Sequence, residues 1–354
     1  MNAVELFTPF FSEGIANYIL KKHKLGTPLT ILEVAKGSIT NMKAILSYYK
    51  AKFPNVYKTL RYYYLTDEYP FSSPPMHSVY FKPLSIPDEF ADKVQLYSIQ
   101  DKEKCSFLSD SAFLILTDVL SSLPHDKIRV HYGSKGDSFD QYEQCIVAPN
   151  GKAFDELFLP VSDPLIRQYV EFLLASDYSM ITLAEHQNAT IDAYNRDSAL
   201  GNNRAVRFKK FIPSEAFIPT VFLDLLNRVT RLAPTLHIVG YDFDYLPPCA
   251  EGDLNSPVNC VNGPIVCSYD EKGRCTDHRS YLEGKYTRDI FFPTDFTTLA
   301  RLVKTVTKNE GMIMKLNNFM DEHLKVYQTR TMLGWNPLTK DFRNLSFILS
   351  WTKL

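Results

Sequence analysis

Along the first half of the chain, apolar positions fall into an order of short strands and helices. Ile15, Ile19 and Leu20 form a stripe in residues 12–24, and Lys21, Lys22, His23 and Lys24 crowd the end, where a helix dipole favours cations. An amphipathic helix is expected there, with Ser12 as its N-cap and Gly26 as its stop. The apolar run Leu29–Val34 reads as a strand, turning through Ala35-Lys36-Gly37-Ser38 into a second helical pattern from Asn41 to Lys52. Leu60–Thr66, rich in tyrosine and closed by Asp67-Glu68, and Phe113–Leu116, closed by Asp118, read as further strands, and Pro164–Ala175 as a helix. The alternation predicts an α/β fold with a mainly parallel sheet.

The texture changes near residue 181. Residues 186–206 are polar and Asn-rich and read as a loop, Pro213–Leu232 as a helix, and Leu236–Phe243 as a buried strand ending in Asp242 and Asp244. Residues 247–280 hold cysteines, prolines and glycines with little periodicity. Asp295 opens a helix to about 307, a last helix covers roughly 315–331, and Phe342–Trp351 is a final strand. The organisation expected is a core begun by residues 1–180, an insertion or partner region at 181–285, and completion of the core by 286–354.

Composition narrows the function classes. The 354 residues carry 39 Lys+Arg against 40 Asp+Glu, a net charge of −1, which does not suit a basic nucleic-acid-binding protein. Aromatic content is 13 %, with 24 Phe and 21 Tyr, and this excludes a disordered chain. No apolar run is long enough to span a membrane, since Asp118 breaks the longest, Ala112–Leu120. Residues 1–11 show neither a signal-peptide nor an Arg-rich amphipathic pattern. The six cysteines lack the close pairs of a structural zinc site, and free thiols are expected.

Three stretches could carry chemistry. Leu32–Thr40 would be a strand, tight turn and helix start, the arrangement in which open α/β sheets bind nucleotides, although only Gly37 is a glycine and an ordinary corner has the same pattern. Asp67-Glu68 could take the hydroxyls of a ribose, or simply be a solvated strand end. Thr117–Asp126 ends a strand on Asp118 and carries His125 as a candidate base, with Asp126 as a turn cap. The basic cluster Arg204, Arg207, Lys209 and Lys210 reads as a solvated loop.

Taken together, several segments resemble the fungal branch of the MidA-like methyltransferase family, which includes mitochondrial protein arginine methyltransferases serving complex I assembly. Glu5–Gly14 resembles the family's opening, Ile31–Thr40 stands at its glycine-rich S-adenosylmethionine loop, and Asp118–Asp126 at its Asn-Glu-Leu-Leu-Asp-Asn-Leu-Pro-type motif. Asp289–Phe296 is the most specific match, and Gly334-Trp335-Asn336-Pro337-Leu338 is similar to the family's ending. The resemblance implies a Rossmann-like core, S-adenosylmethionine as cofactor, a protein substrate or assembly partner, and a mitochondrial location. It assigns Glu33, Gly37, Thr40 and Asp67 to the cofactor, and Asp118 with His125 to catalysis. Departures accompany it: Ala35, Lys36 and Ile39 replace loop glycines, Thr117 an Asn, and Ser121 an Asp. The branched Ile39 would crowd the cofactor or force a strained backbone. Altered motifs in a retained frame imply a methyltransferase-fold protein with weak or no transfer, acting by protein binding; the alternative is an active protein arginine methyltransferase.

Overall fold

Four parallel strands, β1 (Thr30–Ala35), β2 (Arg61–Leu65), β3 (Val94–Tyr97) and β4 (Ser111–Thr117), pair in the order β3-β2-β1-β4. They belong to a computed structural model that describes residues 3–24, 26–35, 38–65, 86–97, 108–131, 136–151, 153–176, 215–244, 263–270, 272–278, 280–282 and 289–351. Beyond β4 the chain forms β5 (Asp126–Val130), β6 (Tyr142–Asn150), β7 (Ala153–Pro160) and β8 (Glu215–Ile218). These make a separate antiparallel sheet in the order β7-β6-β5-β8. The expected strand–helix alternation is therefore interrupted by a meander. Strand β9 (Thr235–Phe243) then returns to the main sheet parallel to β4. Strands β10 (Ile265–Tyr269), β11 (Cys275–His278) and β12 (Asp289–Phe291) form a third, antiparallel sheet.

The main sheet closes with β13 (Gly311–Lys315) and β14 (Leu345–Ser350), each antiparallel to its neighbour, giving seven strands in the order β13-β14-β9-β4-β1-β2-β3. Strand β9 falls within 181–285, so the sheet draws on all three stretches of the chain.

Helices cover both faces. On one lie α1 (Ala3–Phe7), α2 (Phe10–Lys22) and α3 (Thr40–Lys52). The short α4 (Pro54–Thr59) follows α3. The other face carries α5 (Pro164–Ala175), α6 (Thr220–Leu232) and α7 (Phe296–Thr307). Helix α8 (Leu316–His323) rejoins the first face, and α9 (Pro337–Lys340) packs on it. Because side chains alternate across a strand, Leu114, Leu116 and Ile238 point into one core while Phe113, Ile115 and Val239 point into the other. Coverage on both sides is why these strands read as unbroken apolar runs. Each buried Leu or Phe contributes about 1.5–3 kcal/mol. Many of the aromatic residues serve this purpose: Phe11, on α2, packs on Tyr241 and Phe347 with centroids 4.8 and 6.0 Å away.

Several local expectations are corrected. Helix α2 begins at Phe10 behind Pro9, so Ser12 lies inside it, and its buried hydroxyl has no partner among the described residues. The helix expected over 213–232 divides at Pro219. A residue before proline is pushed to the extended region, so Glu215–Ile218 becomes β8 and the helix starts at Thr220. The last helix is shorter than 315–331, because residues 311–315 pair with β14 and Val326–Thr329 tightens into a 3-10 turn. The loop at 186–206 and its basic cluster lie outside the described residues, as do Cys105, Cys249 and Cys260. Cys145 is a free thiol, and among the described residues no group of three His, Cys, Asp or Glu could hold a metal ion. No helix among them is long and apolar enough to cross a membrane.

Gly311 shows how tightly α7 lies on this sheet. A Cβ there would stand 2.9 Å from the Cα and 3.0 Å from the carbonyl oxygen of Ala300, which is backbone and cannot rotate away. Gly311→Ala is expected to destabilise the fold by about 1–3 kcal/mol, read as a lower urea midpoint at unchanged m-value.

Candidate active site

The order of the main sheet fixes where a ligand can enter. From β1 the chain proceeds to β2 and β3 on one side, then crosses to β4 on the other, so a crevice opens outside the carboxyl ends of β1 and β4. Glu33 sits near the end of β1 with no exposed surface. One of its oxygens accepts from Asn41 Nδ2 at 2.7 Å and Thr117 Oγ1 at 2.8 Å, and the other from Tyr62 Oη at 2.6 Å. Burial pushes its pKa up, and the three donors oppose that shift. The carboxylate thus ties the ends of β1 and β4, the tyrosine of β2 and the first turn of α3 into one unit. It faces inward, so whatever it does for a ligand passes through the corner it holds. Thr117, in place of the family's Asn, keeps a donor at that corner.

The neighbouring edge is acidic. Asp118 follows β4 with φ +52°, a left-handed conformation that non-glycine residues adopt at a cost and that clusters at functional sites. Asp242, near the end of β9, is fully buried. The backbone N–H of Ser121 donates to its Oδ2 at 2.7 Å, that of Phe243 to its Oδ1 at 2.7 Å, and the Ser121 hydroxyl adds a further bond. Its pKa is pushed up to about 7, first by burial and then by the Asp118 carboxylate. Beyond it, Asp244 accepts from Ser346 Oγ at 2.7 Å and pairs with Lys315.

The segment around 289–296 straps these ends together. Phe292 N–H donates to Ser121 O at 2.6 Å and Thr294 N–H to Phe243 O at 2.8 Å. Asp295 then caps α7, accepting from the N–H groups of Thr297 and Thr298, each at 3.1 Å. On the far side of the strap is a cleft of about 220 Å³ with Phe217, Tyr281, Ile290 and Phe292 in its walls. His125 stacks on Phe292, centroids 4.1 Å apart. Its Nδ1 lies 2.8 Å from Leu123 O, which can only accept, so Nδ1 carries a proton. Lys127 is held by Glu156 at 2.9 Å and Glu215 at 2.6 Å. Asp126 opens β5 and accepts from the hydroxyl of Thr220 at the start of α6. The Cys145 thiol is pushed up to about 11, chiefly by burial, and stays protonated at neutral pH. The cleft therefore offers shape and aromatic surface rather than a nucleophile.

The structure brings Glu33, Thr40 and Asp118 to one edge and places His125 in the adjoining cleft. Gly37, Lys36, Asp67 and Glu68 lie outside the described residues. Thr40 is the first residue of α3, bonded to the Ser38 hydroxyl at 3.1 Å. Ile39 has φ −91° and ψ 6°, so the strained backbone expected of a branched residue is absent, and its side chain packs on the core. Sequence reasoning did not assign Asp242 to the site. The signal was an acid ending a third apolar run, legible only once β9 is known to lie beside β4.

Residues 14–312 match a family model described as "Putative S-adenosyl-L-methionine-dependent methyltransferase". The chain belongs to this family. Membership bears out the MidA-like resemblance and carries S-adenosylmethionine with it as the cofactor. Two solved structures from Burkholderia thailandensis share the fold at 11 % identity and a TM-score of 0.54. One is a COG1565 superfamily member bound to S-adenosyl-homocysteine, the other a native COG1565 superfamily protein. Each is matched over 99 % of this chain, and over 78 % and 81 % of its own length. No curated protein matches the sequence.

The residues at the crevice suit such a cofactor in kind. Helix α3 begins just after the carboxyl end of β1, where the Ser38 hydroxyl donates to that of Thr40, and buried Asn41 Oδ1 has no partner among the described residues.

Asp242 makes stability depend on pH. Its folded pKa near 7 stands above the ordinary value of 3.8, so its protonated form stabilises the fold. That contribution is complete below pH about 4, falls as pH rises, and is gone above about 7. Between pH 5 and 8 the wild type is expected to lose roughly 1–3 kcal/mol more unfolding free energy than Asp242→Asn, measured by urea titration at both values. Equal losses would remove Asp242 as the titrating group.

Proposed function

We propose that this protein transfers a methyl group from S-adenosylmethionine to a nitrogen of a protein side chain, arginine being the residue the family resemblance names. The observation that carries the reading is the acidic edge at the switch point, where Asp118 is held in a left-handed conformation beside buried Asp242. The cofactor supplies an electrophilic methyl group on a cationic sulfur. Asp118 orients the substrate's cationic nitrogen by a charge-assisted bond and receives the proton that nitrogen loses. Asp242 fixes the 120–122 turn through Ser121, which sets where Asp118 stands. The cleft beyond Phe292 accepts the chain that carries the nitrogen. Location in the mitochondrion and service to respiratory-complex assembly complete the proposal, supported by the segments Glu5–Gly14 and Asp289–Phe296.

One observation favours a second reading, a scaffold of this fold with weak or no transfer. Position 121 carries a serine whose hydroxyl and N–H both bond Asp242, leaving no carboxylate there to grip a guanidinium. Isothermal titration separates the two. A dissociation constant on the micromolar scale, about −8 kcal/mol, is expected for S-adenosylmethionine, and no detectable heat would leave only the scaffold. Asp67→Ala should weaken that binding about tenfold if Asp67 holds the ribose hydroxyls. Asp118→Ala should bind the cofactor within about threefold of wild type, yet lose roughly 100-fold in methyl incorporation into mitochondrial protein. Wild-type incorporation no higher than that of Asp118→Ala would end the transferase reading.

A further inference from the structure

The segment between α8 and β14 presents two large apolar side chains wholly to solvent. Met332 is 105 % exposed and Leu333 97 %, flanked by Tyr327 at 62 % and Trp335 at 49 %. Single exposed apolar residues are ordinary, but here they crown a built turn. Thr331 N–H donates to Trp335 O at 2.6 Å and Gly334 N–H to Thr331 O at 2.9 Å, with Gly334 at φ +81°, where its lack of a Cβ is needed. Buried Asn336 anchors the base. Its Nδ2 donates to Val326 O at 3.0 Å, and its Oδ1 accepts from Thr329 Oγ1 at 3.1 Å. The network fixes the backbone on which Met332 and Leu333 stand.

The segment itself is basic. Lys325, Arg330, Lys340 and Arg343 are all exposed, with Asp341 the one acid between residues 324 and 344, and the exposed acids Asp321 and Glu322 stand before it on α8. We propose that this turn is a membrane-surface anchor, inserting Met332 and Leu333 into the headgroup–acyl boundary of an anionic bilayer. Aliphatic side chains at the tip, amphipathic Tyr327 and Trp335 behind them and cations around the base are what an interfacial anchor requires. A protein partner fits less well, because a two-residue tip lies far below the roughly 800 Å² per partner of a specific interface. Attachment is peripheral. The segment that bears the turn leaves the sheet after Lys315 and rejoins it at Leu345; Lys315 pairs with Ser346, and Ser346 with Asp242. The anchor is therefore tethered to the edge that carries the candidate site, a placement suited to a substrate held at a membrane surface. It does not depend on methyl transfer.

Vesicle co-sedimentation of the full chain tests this. Phosphatidylcholine vesicles containing phosphatidylserine are expected to bind it, phosphatidylcholine vesicles alone much less, and added salt to weaken the binding. M332D/L333D alters only exposed positions and should leave the melting temperature unchanged while lowering partitioning about tenfold. In a W351F background, Trp335 fluorescence should shift to the blue on vesicle addition. Equal partitioning of wild type and M332D/L333D, or no binding to the anionic vesicles, would overturn the proposal. So would self-association abolished by M332D/L333D without any vesicle binding, which would make the tip a protein contact.

Discussion

Glu33 is a carboxylate without exposed surface whose oxygens are met by an asparagine, a threonine and a tyrosine from three other elements. A buried carboxyl group of this kind is tolerable only while its partners stay in place, since losing one leaves a polar group unsatisfied in a low-dielectric setting. The constraint works in both directions. The partners hold the carboxyl group, and the carboxyl group fixes the end of β1 against β4 and orients the first turn of α3. The crevice exists in its present shape because these pieces cannot move independently. The core packing on the two sheet faces supplies most of the stability, but it is non-directional and would permit small slips of a helix along a strand. The Glu33 network does not permit them.

Asp242 repeats the device two strands along, on β9, with a different balance. It is held by backbone N–H groups and one hydroxyl, and Asp118 stands nearby as a second negative charge. Hydrogen bonds favour its ionised form, whereas burial and Asp118 favour the protonated one, and the second pair prevails enough to bring its titration near neutrality. Paired acids with separated affinities for protons are what proton-handling sites are built from. The left-handed backbone at Asp118 belongs to the same arrangement, because the tight turn from β4 into residues 120–122 is what brings the Ser121 N–H to Asp242. The strap through Phe292 and Thr294 locks the turn from outside. This gives the segment Asp289–Phe296, the most specific family match, a structural task.

Much of the main sheet was legible in the sequence. Leu29–Val34, Leu60–Thr66, Phe113–Leu116 and Leu236–Phe243 all became strands of it, because strands covered on both faces leave continuous apolar runs that survive without an alignment. The antiparallel sheets were not legible. Strand β5, Asp-Lys-Ile-Arg-Val, has a charged, alternating pattern and was assigned no element beyond Asp126 as a turn cap, and β13, lying between two expected helices, was assigned none because Met312, Ile313 and Met314 carry no period of their own. Of the candidate site, Asp118 was singled out because it closes an apolar run and Glu33 because of the family resemblance, whereas Asp242 was not, because its neighbour in space is set by β9 pairing with β4 across more than a hundred residues.

The substitutions in the family motifs change meaning once they are seen in place. Read along the chain, Thr117 and Ser121 are losses of polar groups from a catalytic motif. In the fold, Thr117 donates to Glu33, and Ser121 supplies both its N–H and its hydroxyl to Asp242. A second carboxylate at position 121 would stand beside Asp242, where an acid is already pushed up by burial and by Asp118. Like charges at that distance would drive one of them to hold a proton, and its value as an acceptor for a cation would fall. Serine removes that conflict while keeping the turn fixed. Within this chain the two changes are therefore consistent with each other and with an edge carried by Asp118. Erosion of a motif in sequence is not, by itself, erosion of the site.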